Sequence, residues 1–138
     1  MPITLEIVTV ERLLYSDDVD MVVAPGGEGV LGILPNHTPL LTALSHGELI
    51  VRKQGEEELS FAISGGYMDV QPHKVTVLAD AAERSDEISL ERARVARDRA
   101  QRLIEAGGLS LDDLIRAEAS LRRALLRLKV GEKRRNRP

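Results

Sequence analysis

Two patterns of apolar and polar residues divide the chain. Over residues 3–10 the sequence Ile-Thr-Leu-Glu-Ile-Val-Thr-Val alternates through its first half and is rich in β-branched side chains, as a strand with one buried face requires. Comparable short segments recur at residues 19–24, 31–34, 47–53, 58–64, 67–71 and 74–79. Turn residues separate them: Pro25-Gly26-Gly27, Pro35-Asn36, Gln54-Gly55, Gly65-Gly66 and Pro72-His73. Short strands with no helical period between them predict an antiparallel β-sandwich or barrel over residues 1–84.

From Ser85 the period changes. Gly and Pro are absent between Ser85 and Ala106, and Leu90, Ala93, Ala96, Ala100, Leu103 and Ile104 fall at the spacing of one helical face. Gly107-Gly108 ends this helix with a left-handed cap. Ser110 then stands as the N-cap of a second helix, with Asp112 and Asp113 in its first turn and a hydrophobic staple from Leu109 to Leu114. Leu114, Ala117, Leu121, Ala124, Leu125 and Leu128 form its apolar face, Gly131 is the expected stop, and the basic segment from Glu132 to Pro138 is expected to be frayed. Two helices of about 19 and 20 residues joined by four residues make an antiparallel hairpin, its facing alanines allowing close approach. The expected fold is therefore β plus α: a sandwich over residues 1–84, then a helical hairpin with a basic tail over residues 85–138.

Composition narrows the chemistry. With 138 residues there is room for one domain, or one small domain and an appendage. The only aromatics are Tyr15, Phe61 and Tyr67, so the core must be aliphatic. The lack of cysteine excludes a disulfide scaffold, thiolate metal ligation and a cysteine nucleophile. The first 14 residues lack the basic and apolar regions of a signal peptide, and no apolar run approaches the roughly 20 residues of a membrane-spanning helix.

The formal charge of -3 is a cancellation. Residues 1–84 carry five Lys/Arg against 13 Asp/Glu, a charge of -8, whereas residues 85–138 carry 14 against nine, a charge of +5. Two modules of opposite sign imply different partners.

Several motifs have plainer explanations than catalysis. Gly27-Glu28-Gly29-Val30-Leu31-Gly32 fits the dinucleotide pattern G-x-G-x-x-G, but Ile33-Leu34-Pro35 follows it, so no helix opens where a pyrophosphate would bind. His37, His46 and His73 have no metal-ligand spacing. Ser64-Gly65-Gly66 lacks the preceding glycine of a nucleophile elbow. Asp17-Asp18 and Glu56-Glu57-Glu58 are solvated turn charges. No catalytic residue is assigned.

The hairpin's arginines invite more attention. Arg92, Arg94, Arg97, Arg99 and Arg102 lie on the first helix, and Arg116, Arg122, Arg123 and Arg127 on the second. One account is a solvated face supported by pairs such as Asp98 with Arg102 and Glu118 with Arg122. The other brings Arg92, Arg99, Arg123 and Arg127 together on an anion such as a nucleotide phosphate or an acidic protein loop. Nucleic acid is disfavoured by the acidic first module and the lack of aromatic stacking platforms.

Three ordered segments carry a family resemblance: Gly26-Gly27-Glu28-Gly29-Val30-Leu31-Gly32-Ile33-Leu34-Pro35-Asn36-His37-Thr38-Pro39-Leu40-Leu41, Ser64-Gly65-Gly66-Tyr67-Met68-Asp69-Val70, and Val75-Thr76-Val77-Leu78-Ala79-Asp80. In these and in its sandwich-then-hairpin plan the chain resembles the epsilon subunit of the F-type, proton-translocating ATP synthase, called delta in mitochondria. The resemblance implies a sandwich of about ten strands bound to the gamma subunit and the membrane-embedded c-ring, with Glu28, Val30 and His37 as the contacts. It implies a non-catalytic rotor subunit that couples proton-driven rotation to ATP synthesis and whose hairpin inhibits ATP hydrolysis. Arg116, Arg122, Arg123 and Arg127 would meet an acidic element of the catalytic beta subunits, opposed charge favouring the encounter.

Some members of that family bind ATP in the closed hairpin through a motif of the form I/L-D-x-x-R-A. The corresponding residues here are Ile88-Ser89-Leu90-Glu91-Arg92-Ala93, with serine in place of aspartate. By the resemblance, Glu83, Ile88, Ser89, Arg92, Ala93, Arg99, Arg123 and Arg127 would form the ATP site. Ser89 keeps the capping capacity of aspartate and loses its carboxylate. No cofactor is required, ATP being a regulatory ligand. Association with a membrane would be through the complex alone, on the cytoplasmic face of a plasma membrane or the stromal face of a thylakoid-type membrane. The alternative from another class is a free-standing nucleotide-sensing or acidic-partner adaptor.

Overall fold

The computed structural model describes residues 2–135. The chain divides into two compact units, Met1–Arg84 and Ser85–Pro138.

The first unit holds eight strands: β1 (Ile3–Val8), β2 (Leu13–Val19), β3 (Met21–Gly26), β4 (Gly29–Ile33), β5 (Leu40–Arg52), β6 (Leu59–Val70), β7 (Lys74–Ala79) and β8 (Ala82–Arg84). They hydrogen-bond in the order β2-β1-β7-β6-β5-β3-β4, with β8 beside β6. Every pairing is antiparallel except that of β1 with β7, which runs parallel. Strands from both ends of this order contribute to one core, from Ile3, Leu5 and Ile7 on β1 to Val22 and Ala24 on β3 and Ile33 on β4, so the sheet closes over itself as a sandwich.

The closure is written in a slip of the two-residue period. On β6 the inward residues are Phe61 and Ile63, then Met68 and Val70; on β5 they are Leu44, then Leu49 and Val51. Side chains of a regular strand alternate, so a change from odd to even positions requires an irregularity between them. Gly65 and Gly66 supply it on β6, at φ 81° and 118°. Gly65-Gly66, expected to be a turn between two strands, is thus a kink inside one 12-residue strand. The neighbouring β5 is likewise a single strand of 13 residues. The eight strands are close to the expected number of about ten, the bends in β5 and β6 replacing breaks.

The core is aliphatic apart from Phe61, whose ring meets the edge of Tyr15 at 5.3 Å between centroids and 71° between planes. At one end of the unit Lys53 Nζ donates to Asp17 Oδ2 at 2.7 Å and lies 3.2 Å from Glu56 Oε2, joining the end of β5 to β2.

The second unit begins with a single turn of 3-10 helix, Ser85–Glu87, followed by α1 (Leu90–Ala106) and α2 (Leu111–Arg135). Ser89 caps α1, its Oγ accepting from the Arg92 backbone N–H at 3.2 Å. Gly107, at φ 70°, ends α1 with its N–H donated to the Ile104 carbonyl. Ser110 Oγ accepts from the Asp113 N–H at 3.2 Å at the start of α2. The seam between the helices buries Ala93 and Ala100 of α1 and Ala117, Ala124 and Leu128 of α2. Small residues at these places let the helices approach closely.

Three sequence expectations fail here. Gly131 does not stop α2, which continues to Arg135, so Glu132 and Lys133 are helical rather than frayed. Glycine disfavours a helix by only about 1 kcal/mol, less than packing supplies when the site is buried. Residues 136–138 of the expected frayed tail lie outside the described residues. Asp98 pairs with its neighbour Arg97, Nε to Oδ1 at 3.0 Å, rather than with Arg102.

Candidate functional site

Each unit presents one surface suited to recognition. On the hairpin, a cleft of about 940 Å³ opens along the two helices. Its apolar lining includes Val95, Ala96 and Leu103 of α1 and Leu109 of the connecting loop, and Arg92, Arg99 and Arg116 stand around it with the acids Glu91 and Asp113. Arg92 and Arg99 are seven residues apart and therefore share a stripe of α1. Among the described residues, no hydrogen bond or ion pair engages the side chains of Arg92, Arg99 and Arg116. By contrast, Arg94 lies 3.8 Å from Glu132 and Arg97 is held by Asp98. Unpartnered guanidinium groups over an apolar floor suit an organic anion, the cations taking its acidic oxygens and the floor its flat body.

The residues expected at an ATP site are distributed as follows. Arg92, Arg99 and Ser89 line the cleft. Arg123 and Arg127 do not, although Arg123 Nη2 donates to Ser120 Oγ at 3.2 Å and Ser120 is a lining residue. Ser89 is occupied as the N-cap. Ile88 and Ala93 are buried in the hairpin, and Glu83 is half-buried on β8 opposite Ala62. Of the arginines expected to meet the beta subunit, Arg116, Arg123 and Arg127 share one stripe of α2, while Arg122 projects from a different side. Arg116 thus belongs to the cleft as well.

On the sandwich, Glu28 lies in the exposed turn between β3 and β4, and Val30 follows on β4 at 76% exposure. His37 is half-buried beyond β4, its Nδ1 2.7 Å from the Thr38 carbonyl. These three cluster in the segment from β3 to β5.

The sandwich has a second surface, assembled by strand pairing from residues far apart in sequence. The strand register places Ala43, Tyr67, Leu78, Val8 and Leu13 opposite one another across β5, β6, β7, β1 and β2. Tyr67 is 58% exposed, Leu78 53% and Leu13 54%, and Leu41 stands exposed two residues along β5. Directly opposed residues share a face of the sheet, so these side chains form a continuous apolar row toward solvent. Soluble proteins seldom leave such a row open without a partner to cover it. In sequence these residues are scattered, and only the register shows them as neighbours.

Electrostatics set apart the acidic end of the sandwich. The hydrogen bond from Lys53, then that from the Asp18 backbone N–H, holds the Asp17 carboxyl below its ordinary value. Hydrogen bonding to Asp17 and then to Glu56 raises Lys53. Burial, with the nearby Asp17 charge, raises the Tyr15 phenol. Among the described residues no group of three or more His, Cys, Asp or Glu could hold a metal ion, and no helix is long and apolar enough to cross a membrane.

Comparison with known proteins agrees along the whole chain. Residues 2–85 match the beta-sandwich domain of the ATP synthase delta/epsilon chain, and residues 86–132 match its long alpha-helix domain. The ATP synthase epsilon chain of Herpetosiphon aurantiacus is 55% identical over 99% of each chain. That of Chloroflexus aggregans is 53% identical over 96% of this chain and 94% of the relative. A chain in the mitochondrial ATP synthase of Euglena gracilis shares the fold at a TM-score of 0.75 and 23% identity, covering 88% of this chain and 76% of that one. With both units matched in order and relatives above half identity over nearly their full length, the chain belongs to the ATP synthase delta/epsilon chain family.

Proposed function

We propose that this chain is a non-catalytic subunit of the central stalk of a rotary ATP synthase. Its sandwich binds the gamma subunit and the c-ring, and its hairpin regulates ATP hydrolysis by the catalytic alpha and beta subunits. ATP synthesis and hydrolysis take place on other chains. The chain reaches the membrane through the complex, on the cytoplasmic face of a plasma membrane or the stromal face of a thylakoid-type membrane.

The observation that carries this reading is the apolar row from Ala43 through Tyr67 and Leu78 to Leu13, a surface suited to a protein partner on a unit with no assigned catalytic residue. Gamma is the occupant we assign to it, and Glu28, Val30 and His37 are assigned to the c-ring side. The basic hairpin provides the regulatory element. With a charge of +5 it is drawn to an acidic surface of the beta subunits through Arg116, Arg122, Arg123 and Arg127. ATP is the ligand we assign to the hairpin cleft, its phosphates on Arg92 and Arg99. A cleft that takes ATP retains the closed hairpin, so hydrolysis would be restrained when ATP is scarce.

Replacing Tyr67 with Asp and Leu78 with Ser tests the docking surface. Both side chains point outward, so the melting temperature of the isolated chain should hold. Affinity for gamma should fall at least about tenfold, as for loss of a central apolar anchor. Unchanged affinity for gamma would remove this surface from the interface.

A further inference from the structure

Gly131 sits where helix propensity alone would reject it. It lies inside α2, four residues before the end at Arg135, and it is buried. A Cβ at this position would stand 2.7 Å from Leu90 Cδ2 and 3.2 Å from Ile88 Cγ2. Ile88 immediately precedes the capping Ser89, Leu90 opens α1, and both are buried. The contact therefore lies at the end of the hairpin away from its connecting loop, the end that must part if the helices separate.

Elsewhere along the seam small residues occur on both helices, Ala93 and Ala100 on one and Ala117 and Ala124 on the other. At the open end the start of α1 and the residue before its cap present two branched aliphatic side chains, Leu90 and Ile88, and α2 answers at position 131 with no side chain at all. Large against small is the complementary way to fill such a space, and it leaves no room for an added methyl group without displacement. The Arg94–Glu132 pair near this end is exposed and 3.8 Å long, so it holds little.

We propose that Gly131 is a notch which, by receiving Leu90 and Ile88, holds the open end of the hairpin shut and sets the balance between its closed and open arrangements. This rests on the reading that the hairpin regulates by changing arrangement. A contact made by a few aliphatic groups suits such a role, since it can be released without uncovering a buried charge. A branched side chain at position 131, which must displace Ile88 as well as the movable end of Leu90, would bias the hairpin toward opening and leave every arginine of the cleft in place.

The absence of cysteine makes the test direct. In the full chain, nitroxide labels are placed on Glu91→Cys and Lys129→Cys, two exposed positions at the open end of α1 and α2, and their separation is measured by pulsed electron resonance. Gly131 should give a narrow, short distance. Gly131→Val should move most of the population to longer distances, and adding Leu90→Ala, which makes room for the valine, should restore the short one. General unfolding would not be rescued by a second core truncation. An unchanged distribution in Gly131→Val, or no restoration by Leu90→Ala, overturns the notch. In the assembled complex Gly131→Val should lower ATP hydrolysis; open distances with unchanged hydrolysis would uphold the notch and refute the regulatory reading.

Discussion

Replacement of Gly66 by alanine should disable the sandwich. Gly66 adopts φ 118°, a conformation whose strain for a residue with a Cβ is about 1–3 kcal/mol. The new Cβ would also be driven into the Leu78 carbonyl oxygen and stand 2.8 Å from Ala79 Cα. Both are backbone atoms of β7, so no rotamer change relieves the clash. The two strands must separate near the Gly66–Ala79 and Tyr67–Leu78 pairs. Losing one or two ladder hydrogen bonds adds about 0.5–1.5 kcal/mol each, for a total of about 1.5–6 kcal/mol. That is a large share of the roughly 5–15 kcal/mol that holds a typical domain together.

Gly55→Ala is the matched control. Gly55 has φ 79°, but nothing lies within 4 Å of its added Cβ, so only conformational strain of about 1–2 kcal/mol applies. Urea unfolding followed by tyrosine fluorescence suits the comparison, because Tyr15 and Tyr67 are the only tyrosines, both lie in the sandwich, and the chain has no tryptophan. Equal destabilisation by the two variants would refute the claim that Gly66 is pinned between strands.

Acid should uncouple Lys53 from Asp17. The folded Asp17 carboxyl lies below its ordinary value of 3.8, so its contribution to stability is present above that pH and is lost as pH falls through the lowered value. The melting-temperature difference between wild type and Asp17→Asn should therefore shrink at acid pH; a difference independent of pH would contradict the pairing. Calorimetry should show ATP binding to the full chain, weakened at least tenfold by Arg92→Ala or Arg99→Ala and unchanged by Arg97→Ala, whose guanidinium is held by Asp98. An equal loss in all three would point to diffuse charge rather than a site, and no binding by the wild type at millimolar ATP would remove ATP as the ligand.

Local patterns carried most of the fold into view. The strand segments with strict alternation, the cap residues Ser89 and Ser110, and the Gly107-Gly108 break all follow from contacts within a few residues, and each forms as the sequence implies. Three features depended on distant partners. Gly65-Gly66 has the composition of a turn, yet pairing with β5 and β7 on either side carries the strand through it. β2 has no clear alternation, with Ser16, Asp17 and Asp18 in succession, and is a strand because β1 pairs with it. Gly131 has the composition of a helix stop, yet Ile88 and Leu90 occupy the space beside it and the helix continues.

The candidate surfaces divide in the same way. Arg92 and Arg99 could be placed on one stripe from their spacing, whereas the participation of Arg116 depended on how the helices face each other. The apolar row was invisible beforehand, because Val8, Leu13, Ala43, Tyr67 and Leu78 come from five strands and become neighbours only through pairing.

The regulatory claim is tested most directly by assembling the ATP synthase with a chain ending at Arg84 and measuring its ATP hydrolysis beside that of the complex with the full chain. The sandwich retains the apolar row, so the shortened chain should still assemble with gamma, and hydrolysis should rise when the basic hairpin is removed. A complex that incorporates the shortened chain and hydrolyses ATP no faster than the intact one would contradict an inhibitory hairpin.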